Sequence, residues 1–257
     1  MAMASWNDPF SPEIHGHAKC RMGKCLQFID DFNKATGKKI TITHLVMKMT
    51  ADTLANYKDF TGKIVCGCYV PYETVDISCM VNLDNGEDVD FFLIPDLNNK
   101  SLTQLHDEYD EKLKNLRTGK GYEIHKKITR LFNFLPPSIA GVLLELYGFI
   151  SIFLGYDKPE WGLKKHTCGS MAIANIGTGG IEKCYLPIPS FLRVFGFFAL
   201  NTMKDEPVID NGKIVVDKVL SIMFSFDHRF GDGSRGTKAL GEMKNRLENP
   251  YEFFRIE

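Results

Sequence analysis

The stretch Asp227-His228-Arg229-Phe230-Gly231-Asp232-Gly233, near the C-terminus, places one of the seven histidines between a strand pattern and a helix pattern. Before it, Lys218 to Asp227 carries Val219, Leu220, Ile222, Met223, Phe224 and Phe226, a dense apolar run that predicts a buried strand. After it, Asp232 stands where a helix cap belongs, and Ala239, Leu240, Met243 and Leu247 recur at helical spacing. A histidine at the end of a rigid strand is held in place while its ring faces solvent or a cleft, which suits a general base. It equally suits a turn histidine that satisfies only its own hydrogen bonds, and HxxxD by itself leaves both readings open.

Working outward, Ala18 to Thr36 is expected to be helical, with Leu26, Ile29 and Phe32 three apart and Gly37 as the stop. A second helix is expected from Thr43 to Tyr57, with Val46, Met49, Thr53 and Leu54 inward. Strands are expected over Lys63–Val70, Thr74–Asn82 and Asp88–Ile94, the last two joined through Asn82–Gly86 as an antiparallel hairpin. Further helices are expected over Ser101–Arg117 and Tyr122–Phe134, before Pro136 and Pro137 break the chain. Leu192 to Leu200 reads as a core strand and its approach. This mixture of helices with mostly antiparallel strands is α+β, and 257 residues with 44% hydrophobic content suffice for a single domain, 1–257.

Composition narrows the function classes. With 31 basic and 32 acidic residues and a net charge of −1, no basic stripe points to nucleic acid. Seven cysteines, Cys20, Cys25, Cys66, Cys68, Cys79, Cys168 and Cys184, are an odd number placed largely within strand patterns, which favours reduced thiols in an intracellular compartment. Met1 to Pro9 has neither an apolar signal core nor transit-peptide arginines, so a cytoplasmic location is expected, with the mitochondrial matrix open. Ile139 to Leu154 is apolar nearly all round but short for a bilayer span and interrupted by Glu145, so burial in the protein or at a subunit interface is expected over membrane association.

Weaker patterns point to ordinary structure. His15, His17 and Cys20 have metal-like spacing but no second cluster, and no metal is expected. Cys66-Gly67-Cys68 is CxC and not the redox CxxC, and is expected to pack in a strand. Gly177 to Gly180 is expected to be a tight turn, since no Lys-Ser/Thr follows to make a phosphate cradle.

The longer string DHRFGDG resembles the signature of the acyltransferase core of 2-oxo acid dehydrogenase complexes, whose HxxxDG part chloramphenicol acetyltransferase shares. The resemblance extends to Gly169–Gly177 (GSMAIANIG), which is similar to that family's GTFTISNLG strand. It includes Lys204–Val216 (KDEPVIDNGKIVV), similar to the hairpin before the catalytic strand, and Leu247–Pro250 (LENP), similar to the LEDP ending. Lys39–Val46 and Val75–Val81 fit more loosely, so the likeness covers roughly residues 13 to 253 and is strongest after Cys168.

The resemblance implies a chloramphenicol acetyltransferase-like two-layer fold and acyl transfer between coenzyme A and a thiol of the dihydrolipoyl type. His228 would take the thiol proton. Asp232 would hold the loop through a salt bridge or hydrogen bonds, with Asp227, Arg229 and Gly233 in support. It also implies a homotrimer with the site between subunits, a further cage-like assembly, 2-oxo acid dehydrogenase components as partners, and the lipoyl group supplied only in trans. A lipoyl domain, a lysine in that domain's DKA setting and an Ala/Pro linker are not found, so a stand-alone domain is expected.

The chain departs from the family at the oxyanion strand. The family's FTIS serine is replaced by Ala174, and loss of one such donor costs about 10²- to 10³-fold in rate. Asn175 would point to the opposite face, and Ser170 and Thr178, though of the same parity, lie roughly 13 Å away along an extended strand. Three readings follow. They are an acyltransferase with His228 as base, a weak or silent relative kept as the core or a subunit of a larger assembly, and a lipid-surface protein built around Ile139 to Leu154.

Overall fold

The strand that leads to His228 is the longest among the described residues. The structure, a computed structural model, describes residues 12–83, 88–118, 130, 134–158 and 168–256. We number strands and helices in chain order. β1 is Glu13–Arg21, α1 Gly23–Thr36, α2 Ile42–Leu54, β2 Gly62–Val65 and β3 Cys68–Pro71. β4 is Ile77–Leu83, β5 Asp88–Ile94, α3 Leu102–Thr118 and α4 Pro137–Tyr147, the last running into a π-helical turn, Gly148–Phe153. β6 is Met171–Asn175, β7 Gly196–Leu200, β8 Lys204–Asp210, β9 Lys213–Asp227, α5 Gly233–Glu248 and α6 Pro250–Phe253.

Seven strands form one sheet in the order β1-β9-β7-β6-β4-β5, with β8 also paired to β9. β9 is antiparallel to β1, β7 and β8, and β4 to β5, while β6 runs parallel to both β4 and β7. β9 changes character along its length. Lys213 to Lys218 alternate and pair with β8 through the turn Asn211-Gly212, both at positive φ (47° and 77°), as a two-residue primed turn requires. From Val219 onward both faces are covered, because β1 and β7 flank the strand and layers lie above and below it.

On one face, α1, α2, α3 and α5 bury Phe28, Phe32, Leu45, Met49, Leu105 and Met243 against Ile77, Ile173, Phe198 and Ile222 of the sheet. On the other, Leu192 and Val194 cover Ala172 and Phe197, with Leu186 and Ile188 alongside. Residues of β6 therefore alternate: Met171 and Ile173 meet the helices, while Ala172 lies on the opposite face. This is the α+β architecture expected.

Several boundaries differ from the sequence reading. Residues 18–21 belong to β1 and not to α1, which starts at Gly23. The inward residues Ile14, Gly16 and Ala18 are too small a stripe to announce a strand, and Gly16 is needed because a Cβ there would lie 2.3 Å from Cζ of Phe224. The same alternation leaves His15 and His17 exposed and buries Cys20 on the other face, so these three do not converge. α1 ends at Gly37, at φ 71°.

α2 ends at Leu54, and it is buried on all sides from Thr43 to Ala51 because it is held between the sheet and the outer helices. Lys63–Val70 is two strands: Cys66 and Gly67, at φ 50° and 78°, form the turn of a hairpin pairing Val65 with Cys68, so the CxC does not pack within a strand. β4 begins at Ile77 and not Thr74, while β5 spans Asp88–Ile94 as expected. The expected helix at Tyr122–Phe134 lies almost wholly outside the described residues.

α4 and the turn after it bury one stripe, Ala140, Leu144, Gly148 and Ile152, and leave Ile139, Val142, Leu146, Phe149 and Leu154 exposed on the single chain. Among the described residues no helix is long and apolar enough to cross a membrane.

Candidate active site

β9 ends at Asp227, whose backbone N–H donates to Phe195 O at 2.9 Å, and a single 3₁₀ turn, His228–Phe230, follows. The chain reverses there because two side chains anchor it. The Asp227 carboxylate, nearly buried, accepts from the Arg229 backbone N–H at 2.9 Å and from Arg229 Nε at 2.9 and 3.0 Å. That ion pair raises the Arg229 pKa, through the hydrogen bond first. Phe230 turns inward, edge-on to Phe195 at 5.7 Å and to Tyr69 at 6.1 Å.

Between these anchors His228 faces outward. Its backbone N–H donates to Pro12 O at 2.8 Å. Its ring has no hydrogen-bond or ion-pair partner among the described residues. An imidazole so placed has both nitrogens available to a ligand, one as acceptor and one as donor.

Asp232, four residues on, caps α5: its Oδ1 accepts from the Arg235 N–H at 2.9 Å, and its carbonyl accepts from the Gly236 N–H at 3.1 Å. Arg235 in turn pairs with Asp59 at 2.7 Å, tying the start of α5 to the turn after α2. Asp232 thus makes hydrogen bonds at the start of α5, and the ion pair at the turn is that of Asp227 with Arg229. Gly233 opens α5, and the preceding Gly231 allows a close approach, since a Cβ there would lie 2.5 Å from Cε1 of Phe60.

The strand expected to face the histidine lies elsewhere in the chain. Asp227 is level with Phe195, and β7 pairs with β6 so that Ser170 is at that height and Ala174 four residues further along. Two strands across and four residues along separate Ala174 from the end of β9 by about 16 Å. Ala174 is buried and faces away from the helices. Asn175 points the other way, as parity requires: its Nδ2 donates to Thr43 Oγ1 at 3.1 Å and its Oδ1 accepts from the Gly177 N–H at 3.2 Å. Gly177 to Gly180 is a turn, with Gly180 at φ 75°. Ser170 is fully buried at the His228 end of the strand, with no hydrogen-bond partner for its hydroxyl. Burial drives Cys20, Cys25 and Cys168 up to about 12 and Cys79 up to about 11, which keeps these thiols protonated and unsuited to nucleophilic chemistry.

Beside the turn opens a cleft of about 180 Å³, lined by Asp227, Arg229 and Phe230 together with Arg193 and the β2–β3 hairpin. Sequence reasoning did not find Arg193 or the hairpin. The only signal was one arginine at the edge of the apolar run leading into β7.

The family model for the 2-oxoacid dehydrogenases acyltransferase catalytic domain matches residues 3–123 and 162–255. The chain belongs to this acyltransferase family. Within the family, it is 33% identical over 88 residues to the dihydrolipoyllysine-residue acetyltransferase component of the pyruvate dehydrogenase complex of Staphylococcus aureus. That match spans 34% of this chain and 19% of the relative, about a fifth of its length.

Among solved structures, the fold is similar to a probable dihydrolipoamide acetyltransferase of Listeria monocytogenes (TM-score 0.71, 16% identity, 96% of this chain and 89% of that one). It is similar also to the dihydrolipoamide acetyltransferase of Azotobacter vinelandii (TM-score 0.68, 16% identity, 95% and 84%). At these identities the likeness establishes the acyltransferase-core fold. The second matched block, residues 162–255, contains both β6 and the DHRFGDG turn, the two segments on which the sequence resemblance rests.

Proposed function

We propose that the protein is a coenzyme A-dependent acyltransferase that moves an acyl group between coenzyme A and a thiol of the dihydrolipoyl type, with His228 as general base. The observation that carries this reading is the exposed His228 ring, without a partner among the described residues, on a turn anchored by Asp227, Phe230 and the Asp232 cap. In the proposed reaction His228 removes the acceptor thiol's proton and the thiolate adds to the thioester carbonyl. Collapse of the tetrahedral intermediate expels the coenzyme A thiolate, which takes the proton back from the imidazolium. Imidazole as a class is a suitable base for a thiol, whose own pKa lies near 8.5. Asp232 keeps the turn in register with α5 and carries no proton.

Ala174 lies about 16 Å from the end of β9 in one chain, so the β6 strand would meet His228 only from a second copy. We propose the homotrimer with the site between subunits that the family resemblance implies, and one catalytic domain per chain. Among the solved structures of similar fold is the cubic core of a pyruvate dehydrogenase multienzyme complex; a cage-like assembly with 2-oxo acid dehydrogenase components, and a lipoyl group supplied in trans, belong to the same proposal.

The Azotobacter structure was determined to probe one serine, one histidine and one asparagine four residues after it in that enzyme's catalytic mechanism. The same four-residue spacing separates His228 from Asp232 here, while the sequence resemblance puts Ala174 where the family's strand carries a serine.

Ala174 also favours a second reading, a weak or silent core subunit. The neighbouring amide does not compensate, since Asn175 is already bonded to Thr43 and Gly177. The test is transfer from acyl-coenzyme A to dihydrolipoamide by wild type and by His228→Ala. Turnover reduced about 10²- to 10⁴-fold in the variant supports the first reading. Turnover unchanged by the substitution rejects His228 as base, and no turnover in the wild type leaves the core-subunit reading.

A further inference from the structure

We infer that the cleft beside the catalytic turn is a binding site for a phosphate group, with Arg193 as its anchor. The cleft is lined by two guanidinium groups, Arg193 and Arg229, against one carboxylate, Asp227. Asp227 is fully engaged by Arg229. Arg193 is therefore the uncompensated charge.

Its environment is unusual for a surface arginine. Its backbone is left-handed (φ 47°) between the buried Leu192 and Val194, which fixes where the side chain leaves the chain. The guanidinium carbon lies 5.8 Å from the centre of the Phe153 ring, which holds the planar group over an aromatic face. Its Nε is fully buried with no hydrogen-bond partner, and the guanidinium has no ion-pair partner among the described residues. An arginine that lines the cleft without a partner can take one from it, and a planar fork of N–H groups is the geometry that tetrahedral oxyanions accept. Gly67 in the facing hairpin has open space where a Cβ would stand, which leaves room for such a ligand. Lys63 does not line the cleft; its Nζ donates to Ile152 O at 2.6 Å.

The chemistry recognised is a phosphate, either carried by coenzyme A or free in solution. The coenzyme A form rests on the function proposed above; the anion site itself does not.

The experiment is calorimetric titration of wild type, Arg193→Gln and Arg193→Lys with inorganic phosphate at low salt, followed by titration with coenzyme A at fixed phosphate. Saturable phosphate binding that weakens about tenfold or more in Arg193→Gln, and less in Arg193→Lys, is expected. Competition between phosphate and coenzyme A assigns the site to the coenzyme A phosphates, and its absence assigns it to the free anion. Equal phosphate affinity in wild type and Arg193→Gln, or no saturable binding to the wild type, overturns the site. Thermal melts identify a variant that fails to fold, in which case Arg193→Lys against wild type decides. A failure here leaves the His228 assay unaffected, and unchanged turnover in His228→Ala leaves the anion site unaffected.

Discussion

The Asp227 carboxylate holds the side chain of Arg229 two residues ahead of it, with both oxygens accepting from Nε at 2.9 and 3.0 Å and one also accepting from the Arg229 backbone N–H. The pair is asymmetric, since the Asp227 side chain is 9% exposed and that of Arg229 62%. The acid is the member that needs its partner, and the arginine lends rigidity to the turn that presents His228.

Asp227→Ala is therefore expected to cost about 1.5–3 kcal/mol, the scale of hydrogen bonds to a charged group. Arg229→Lys keeps the charge and loses the fork, so it is expected to destabilise less while freeing the turn. Urea unfolding of the two variants checks the order, and equal stability of Asp227→Ala and wild type contradicts it.

Ala174→Ser restores a hydroxyl at the position where the family's strand carries one. If the oxyanion is stabilised there by a neighbouring copy, turnover is expected to rise by about 10²-fold with little change in KM. Steady-state kinetics with acyl-coenzyme A measures this, and an unchanged kcat places the oxyanion elsewhere.

Gly231→Ala puts a methyl group within 2.5 Å of Cε1 of Phe60. The backbone at Gly231 is extended, so the clash acts through packing alone. Phe60 is itself stacked on Phe195 at 4.5 Å and has little room to yield. A loss of about 1–3 kcal/mol is expected, together with a drop in activity because the displaced segment joins His228 to Asp232. Gly231→Ala combined with Phe60→Leu should recover part of both losses.

Acid sensitivity is expected from His44, buried in the first turn of α2. Its Nδ1 meets Thr41 Oγ1 at 2.8 Å, its ring stacks on His106, and its Nε2 has no hydrogen-bond partner. Burial first, and the charge of His106 second, lower its pKa to about 4. The unfolded chain then binds a proton more readily than the folded one. Stability is thus full above about pH 6.5 and is lost as pH falls toward 4, by an amount on the order of 3 kcal/mol. Denaturation midpoints between pH 7 and 4 should fall less steeply in His44→Gln, and parallel curves would rule His44 out as the source.

How much of this was legible in the sequence depended on how local the cause was. The β9–turn–α5 unit was readable because an apolar run, a capping aspartate and a helical stripe follow one another without interruption. Asn211-Gly212 and Gly37 acted where short-range backbone preference predicts. β1 was lost because its inward stripe of Gly16 and Ala18 is shaped by the Phe224 ring of another strand. The Cys66-Gly67 turn was hidden for a related reason: its flanking residues are all strand formers, and only positive φ at both positions reveals the reversal. α2 looked one-sided because periodicity reports one buried face and does not reveal that a second layer covers the other.

The sequence by itself determined the family, the α+β class, and that His228 ends a buried strand and precedes a capped helix. All of these follow from residue order within a few turns of chain. Tertiary structure alone decided the rest. It separated Ala174 from His228 along the sheet, turned Asn175 toward Thr43, bound Arg229 to Asp227 and left Arg193 facing a cleft unpaired. Side-chain periodicity encodes which residues are buried but not which strand lies beside which or in what register. The site is assembled from those long-range pairings.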